Sequence, residues 1–216
     1  MIYKVIKTLT NSGIRDITIV LGGESVGDFV RLLGDGSQFN ANFSYVYQQK
    51  AGGIAEALFL TEKIVKGNKL AVILGDNIFE DTFELEFSDF ENSNENGCCL
   101  FLKKVDDPER FGVAELNNDF TIKAIEEKPK LPKSKYAVTG LYLYDESVFD
   151  VIKQVTDDIG YSSRGELEIT DVNNYYIKER KTISKNIKGF WSDAGTFNTL
   201  LRTSNFIHSL EKKHEI

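Results

Sequence analysis

Three short aliphatic runs constrain this chain more than any other feature. They are Asp16-Ile17-Thr18-Ile19-Val20-Leu21-Gly22, Phe43-Ser44-Tyr45-Val46-Tyr47 and Leu70-Ala71-Val72-Ile73-Leu74-Gly75. Runs this apolar do not alternate in and out of water, so they predict strands covered on both faces and a mostly parallel sheet. Helical spacing separates them. Ile2, Val5, Ile6 and Leu9 recur on one face before the stop at Asn11-Ser12-Gly13, and Ile54, Ala55, Ala57, Leu58 and Ile64 predict a second helix ending near Gly67-Asn68. The first half therefore reads as a doubly wound α/β unit with a Rossmann-like sheet.

After residue 97 the pattern changes. Leu100 to Val105, Val113 to Leu116, Ile122 to Ile125 and Val138 to Tyr144 read as strands joined by tight turns. Helical spacing returns at Glu146 to Val155, Leu167 to Ile177 and Phe197 to Lys213. The expectation is a single domain over residues 1–216, of mixed α/β class, with a β-rich insertion forming one wall of a cleft. At 216 residues, with 41% hydrophobic side chains, the chain has material for one well-buried core and too little for two full-sized domains.

Charge and composition narrow the function. A formal net charge of -7 argues against a general nucleic-acid binder, which needs a cationic face, although it leaves room for a nucleotide site built from a metal and a few local cations. No apolar stretch approaches the roughly 20 residues that would span a bilayer, and the opening residues carry no signal-peptide pattern, so a soluble, cytoplasmic protein is expected. Cys98 and Cys99 are adjacent with no nearby histidine, which suits small apolar strand residues in a reducing compartment better than a metal site.

Both histidines, His208 and His214, fall in the last helical segment, so histidine base chemistry at a central site is not expected. Gly22 to Gly27 has the wrong spacing for a dinucleotide loop and reads as a strand-to-helix turn. Carboxylates and cations remain. Asp76 follows a buried strand, at the carboxyl end where open α/β sheets bind ligands; it could serve a metal or cap a helix. Asp193, in Trp191-Ser192-Asp193-Ala194-Gly195-Thr196, has the same two options. Two such carboxylates could converge on one Mg²⁺, with phosphate oxygens completing its shell. Glu127 beside Lys128 sets an acceptor for sugar hydroxyls next to a cation for phosphate, or is simply solvated surface; Arg164 is a phosphate clamp or a surface arginine.

The order of these blocks resembles the glucose-1-phosphate thymidylyltransferases, within the sugar-phosphate nucleotidylyltransferases. Matching blocks run from Leu33-Gly34-Asp35-Gly36-Ser37-Gln38 through Leu74-Gly75-Asp76-Asn77, Asp107-Pro108-Glu109-Arg110-Phe111-Gly112-Val113 and Glu126-Glu127-Lys128-Pro129. They continue through Tyr136-Ala137-Val138-Thr139-Gly140 and Arg164-Gly165-Glu166-Leu167-Glu168 to Trp191–Thr196. The resemblance implies that Gln48 and the Gly53 backbone read the pyrimidine, and that Asp76 and Asp193 hold Mg²⁺. It also implies that Asn77, Gly112, Glu127 and Val138 line the sugar pocket, with Lys128 and Arg164 on the sugar phosphate. The implied catalytic set is Asp76, Lys128, Arg164 and Asp193, the substrates dTTP and glucose 1-phosphate, the product dTDP-glucose for polysaccharide precursors, and the assembly a homo-oligomer. A non-catalytic sugar-nucleotide-binding relative, or an enzyme using UTP or another hexose 1-phosphate, are the competing readings. In that family a first strand and a Gly-rich loop ending in Thr-Arg wrap the triphosphate. Met1-Ile2-Tyr3 aligns with the helix beyond them, so the chain as written is expected to lack the first strand, to leave two strands with an open edge, and to be impaired in stability and turnover.

Overall fold

The computed structural model describes residues 1–93 and 97–214. Its centre is β8 (Tyr136–Tyr144), whose residues are buried from Ala137 onward. β5 (Cys98–Lys104) and β3 (Leu70–Ile73) pair antiparallel with β8, and β6 (Gly112–Leu116) joins its start, followed by the antiparallel hairpin partner β7 (Ile122–Glu127). β9 (Thr182–Asn186) runs parallel to β5 at the other edge. Six strands thus form one mixed sheet. A separate parallel pair joins β1 (Asp16–Gly22) to β2 (Asn42–Gln48), and a short antiparallel pair joins β4 (Asn77–Phe79) to β10 (Trp191–Asp193).

The continuous apolar character of the central strands has a direct cause. Along β5, Cys98, Leu100 and Leu102 belong to one buried cluster, whereas Cys99 and Phe101 belong to another; along β8, Val138, Tyr142 and Tyr144 alternate in the same way with Ala137, Leu141 and Leu143. Successive side chains of a strand point to opposite faces, so both faces are covered. The first cluster is closed by α3 (Ile54–Phe59), α6 (Val148–Asp158) and α7 (Ile169–Lys178); the second by α1 (Ile2–Asn11), α2 (Val26–Leu33) and α5 (Glu84–Asn92).

Two sequence expectations need correction. The mostly parallel sheet is confined to β1–β2 and β5–β9 among the described residues; β3, the most apolar of the early runs, is antiparallel to β8, because its neighbour comes from the later β-rich segment. The long helix expected from Ile54 is two helices, α3 and α4 (Glu62–Val65), separated where the buried Thr61 hydroxyl donates to the Leu58 carbonyl at 2.6 Å. β1 is laddered only to β2, and β3 only to β8, among the described residues. Each keeps one edge without a ladder among the described residues. Among the described residues no helix is long and apolar enough to cross a membrane. The last helix, α8, spans Phe197–His214.

Candidate active site

A cleft of about 230 Å³ opens where β4, β10, the β6–β7 hairpin, β8 and α7 meet. Its lining includes Asp76, Asn77, Gly112, Glu127, Lys128, Val138 and Asp193, all singled out from the sequence, together with Arg110, Thr170 and Trp191.

The β4–β10 ladder sets Asn77 opposite Asp193, which brings together two carboxylates 117 positions apart in the numbering. The Ala194 N–H donates to the Asp76 carbonyl at 2.8 Å and fixes the crossing. One oxygen of each carboxylate lies within 3.5 Å of the point where a Cβ on Gly195 would sit, so a side chain there would fill the space between them. Neither aspartate caps a helix. Asp76 leads into a strand, and at α8 the cap is Thr196, whose hydroxyl accepts the Thr199 N–H at 3.2 Å while the Thr199 hydroxyl accepts the Thr196 N–H at 3.0 Å. Burial raises the Asp193 carboxyl above its usual range and Asp76 adds to the effect, while the Arg110 guanidinium opposes both. No group of three or more acidic, cysteine or histidine side chains converges on a metal position among the described residues. Two carboxylates are the donor set that holds a divalent cation when phosphate oxygens and water complete the shell.

Asp76 is held by its neighbour. The buried Asn77 amide oxygen accepts two N–H donors, Nε1 of Trp191 at 2.7 Å and the Gly140 backbone at 3.0 Å. Both are obligate donors, so the oxygen must face them and Nδ2 must face Asp76, whose Oδ1 accepts at 2.8 Å. Asn77 lines the cleft, and much of its polar capacity positions a carboxylate.

On the opposite wall, the Thr170 hydroxyl of α7 donates to Glu127 at 2.6 Å. Lys128 adopts a left-handed backbone, φ 44°, with its N–H donating to the Phe111 carbonyl at 3.0 Å and its ammonium 4.0 Å from Glu127. A non-glycine residue held there is strained, and such strain concentrates at functional sites.

Three expected site residues lie outside the lining. Arg164 donates to both oxygens of Glu168 at 2.8 Å and approaches Glu166 at 3.3 Å and Glu127 at 3.5 Å, so it reaches the cleft through Glu127. Gln48 donates to the Gly53 carbonyl at 3.3 Å and to Glu56 at 3.2 Å. Gly53, at φ 98°, packs so closely on Leu167 that a Cβ would meet its carbonyl oxygen at 2.5 Å. Conversely, Arg110 sits within a block that the sequence marked, but nothing local gives it a role. Its Nη2 lies 2.6 Å from Asp193 and its Nη1 2.8 Å from Asp107. Thr170 and Trp191 were equally invisible as positioning groups, because their partners lie 43 and 114 residues away.

The chain thus combines a mixed sheet flanked by helices with paired carboxylates facing a carboxylate–lysine pair across one cleft. A family model described as nucleotidyl transferase matches residues 1–209, and the chain belongs to that family. Within it, the chain groups with the glucose-1-phosphate thymidylyltransferases. It is 38% identical over 214 residues to the protein of that name from Neisseria meningitidis, covering 98% of this chain and 73% of the relative. Against the Mycobacterium tuberculosis protein of the same name the figures are 36% over 216 residues, 99% and 73%. A solved structure described as a glucose-1-phosphate thymidylyltransferase from Bacillus anthracis, in complex with a sucrose, superimposes with a TM-score of 0.87 at 48% identity, covering 95% of this chain and 81% of that one. A UDP-glucose pyrophosphorylase complexed with UDP-glucose, 20% identical, shares the fold with a TM-score of 0.78, covering 95% and 85%.

Proposed function

We propose that the protein transfers a thymidylyl group from dTTP to glucose 1-phosphate, giving dTDP-glucose and pyrophosphate. A phosphate oxygen of the sugar phosphate attacks the α-phosphorus in line; the bond from that phosphorus to the β-bridging oxygen breaks, and pyrophosphate leaves with the electron pair. The attacking group is already an anion at neutral pH, so no histidine or strong base is required. The catalytic task is to align two anions and neutralise the charge between them. The observation that carries this reading is the convergence of Asp76 and Asp193 opposite Glu127 and Lys128 in one cleft.

Glu127, held by Thr170, accepts sugar hydroxyls; Gly112 leaves room beside it, and Val138 packs against the ring. Lys128 meets the sugar phosphate, and Arg164 joins it by exchanging one of its carboxylate partners for phosphate. Gln48 and the Gly53 backbone present the pyrimidine-reading edge at the end of β2. A Mg²⁺ ion held between Asp76 and Asp193 would neutralise charge on the α-phosphoryl group.

The test is calorimetric titration of the protein with glucose 1-phosphate and with dTDP-glucose, alongside pyrophosphate release from dTTP or UTP. Both ligands should bind, Lys128→Ala should weaken glucose 1-phosphate by about tenfold or more, and dTTP should exceed UTP as donor. A preference for UTP, or binding unaffected by Lys128→Ala, would overturn the substrate assignment. Light scattering on the same preparation reads the homo-oligomer that the resemblance implies.

A further inference from the structure

Among the described residues, Arg110 is the cation lining the cleft that the proposed chemistry leaves without a role. It enters from the short 3-10 turn Pro108–Arg110, with Asp107 at its base. Its guanidinium is shared between two carboxylates: Nη1 with Asp107 Oδ2 at 2.8 Å and Nη2 with Asp193 Oδ2 at 2.6 Å. It also lies 5.0 Å from the Phe111 ring centroid, and Phe111 packs at 5.1 Å on Trp191. The Asp193 oxygen it engages is the one that borders, with Asp76 Oδ2, the space over Gly195.

We propose that Arg110 is a tethered counter-cation that competes with a divalent cation for Asp193, and whose release presents it to the phosphates. This rests on the assignment of Asp76 and Asp193 as cation ligands. Two half-buried carboxylates facing each other repel, and an empty pair would be costly without a positive partner. Arg110 supplies that partner while the site waits. A guanidinium 2.6 Å from Asp193 Oδ2 blocks close approach of a second cation to the same oxygen, both sterically and by like charge. Once displaced, Arg110 still has Asp107 as an anchor and still borders the cleft. Its planar fork then matches two phosphate oxygens, a geometry lysine does not offer. Filling the cation site and presenting a phosphate clamp become one event.

The chain contains a single tryptophan, Trp191, which makes the site readable without turnover. Binding of Mn²⁺ alone is measured by the electron paramagnetic resonance of free Mn²⁺, and Trp191 fluorescence is followed in the same titration. Arg110→Gln should bind Mn²⁺ about tenfold more tightly than the wild type, because a unit positive charge next to the site is gone. Arg110→Lys, which keeps the charge, should stay near the wild-type affinity. The Mn²⁺-dependent change in Trp191 fluorescence should shrink in Arg110→Gln, since no cation moves against Phe111. Equal or weaker Mn²⁺ binding by Arg110→Gln, with binding by the wild type abolished in Asp193→Asn, would overturn the competition while leaving the metal assignment intact. No Mn²⁺ binding by either protein, or binding that survives Asp193→Asn, would remove the metal assignment and the competition with it.

Discussion

Asn77 has one amide with which to serve three partners. Its oxygen accepts from Trp191 and Gly140, and its nitrogen then has to face Asp76. An aspartate at 77 would turn a donor into a second carboxylate against Asp76. Lys128 shows the opposite relation between residue and site: its left-handed backbone costs roughly 1–2 kcal/mol in an L-residue and contributes nothing to the core. Lys128→Gly removes that strain and the ammonium together. Urea denaturation should show the variant as stable as the wild type or up to about 1 kcal/mol more so, after the entropic cost of glycine, while glucose 1-phosphate binding falls by about tenfold or more. A loss of more than about 1 kcal/mol would mean that the side chain supports the fold. As proposed site residues, Asp76, Asp193, Glu127 and Lys128 were legible because each stands at or beside an element end in a recognisable block. Arg110, Thr170 and Trp191 were not, since a hydrogen bond across 43 to 114 residues leaves no local trace.

At the scale of elements, β8 sets the site by what it omits. Gly140 lies midway along an otherwise bulky strand, and a Cβ there would come within 2.7 Å of the Asn77 amide. Its carbonyl also accepts the Leu74 N–H at 2.8 Å, so β3, the Asp76 turn and β8 meet at one backbone position. Gly140→Ala should push Asn77 off Asp76 and out of its bond to Trp191. The expected cost is about 1–3 kcal/mol, the usual range for overpacking a filled interior. Thermal unfolding reads the loss, and red-shifted Trp191 fluorescence reads the broken indole bond; an unchanged melting point would show that the amide can move aside freely. The strands themselves were visible in the sequence to within two residues for β5 to β8. The three-residue β4 and β10 were not, because neither run is long enough to carry a period.

At the scale of the molecule, the six-stranded sheet separates two apolar clusters, and β5 contributes to both. Cys98 and Cys99 face opposite clusters, at 1% and 2% exposure, and burial pushes both thiols up to about 12. Neither is a nucleophile at neutral pH, and neither can be reached without lifting the layer that covers its face of the sheet. Alkylation at pH 8 should therefore leave both untouched in the native protein, and both should react together once urea crosses the unfolding midpoint. Reaction of one thiol well before that midpoint would show that one layer opens independently of the other.

The sequence by itself determined the class of the fold, the extent of its longer strands and helices, and the block order that marks a thymidylyltransferase-like chain. Those depend on local patterning, on which side chains recur at which spacing, and a linear reading captures them. Only the tertiary structure decided the pairing of β3 antiparallel to β8, the crossing that joins Asp76 to Asp193, the lock of Asn77 on Trp191 and the grip of Arg110 on Asp193. Each is a contact between distant segments, fixed by which buried donors and carboxylates must find partners once water is excluded, and that requirement exists only after the chain has closed around them.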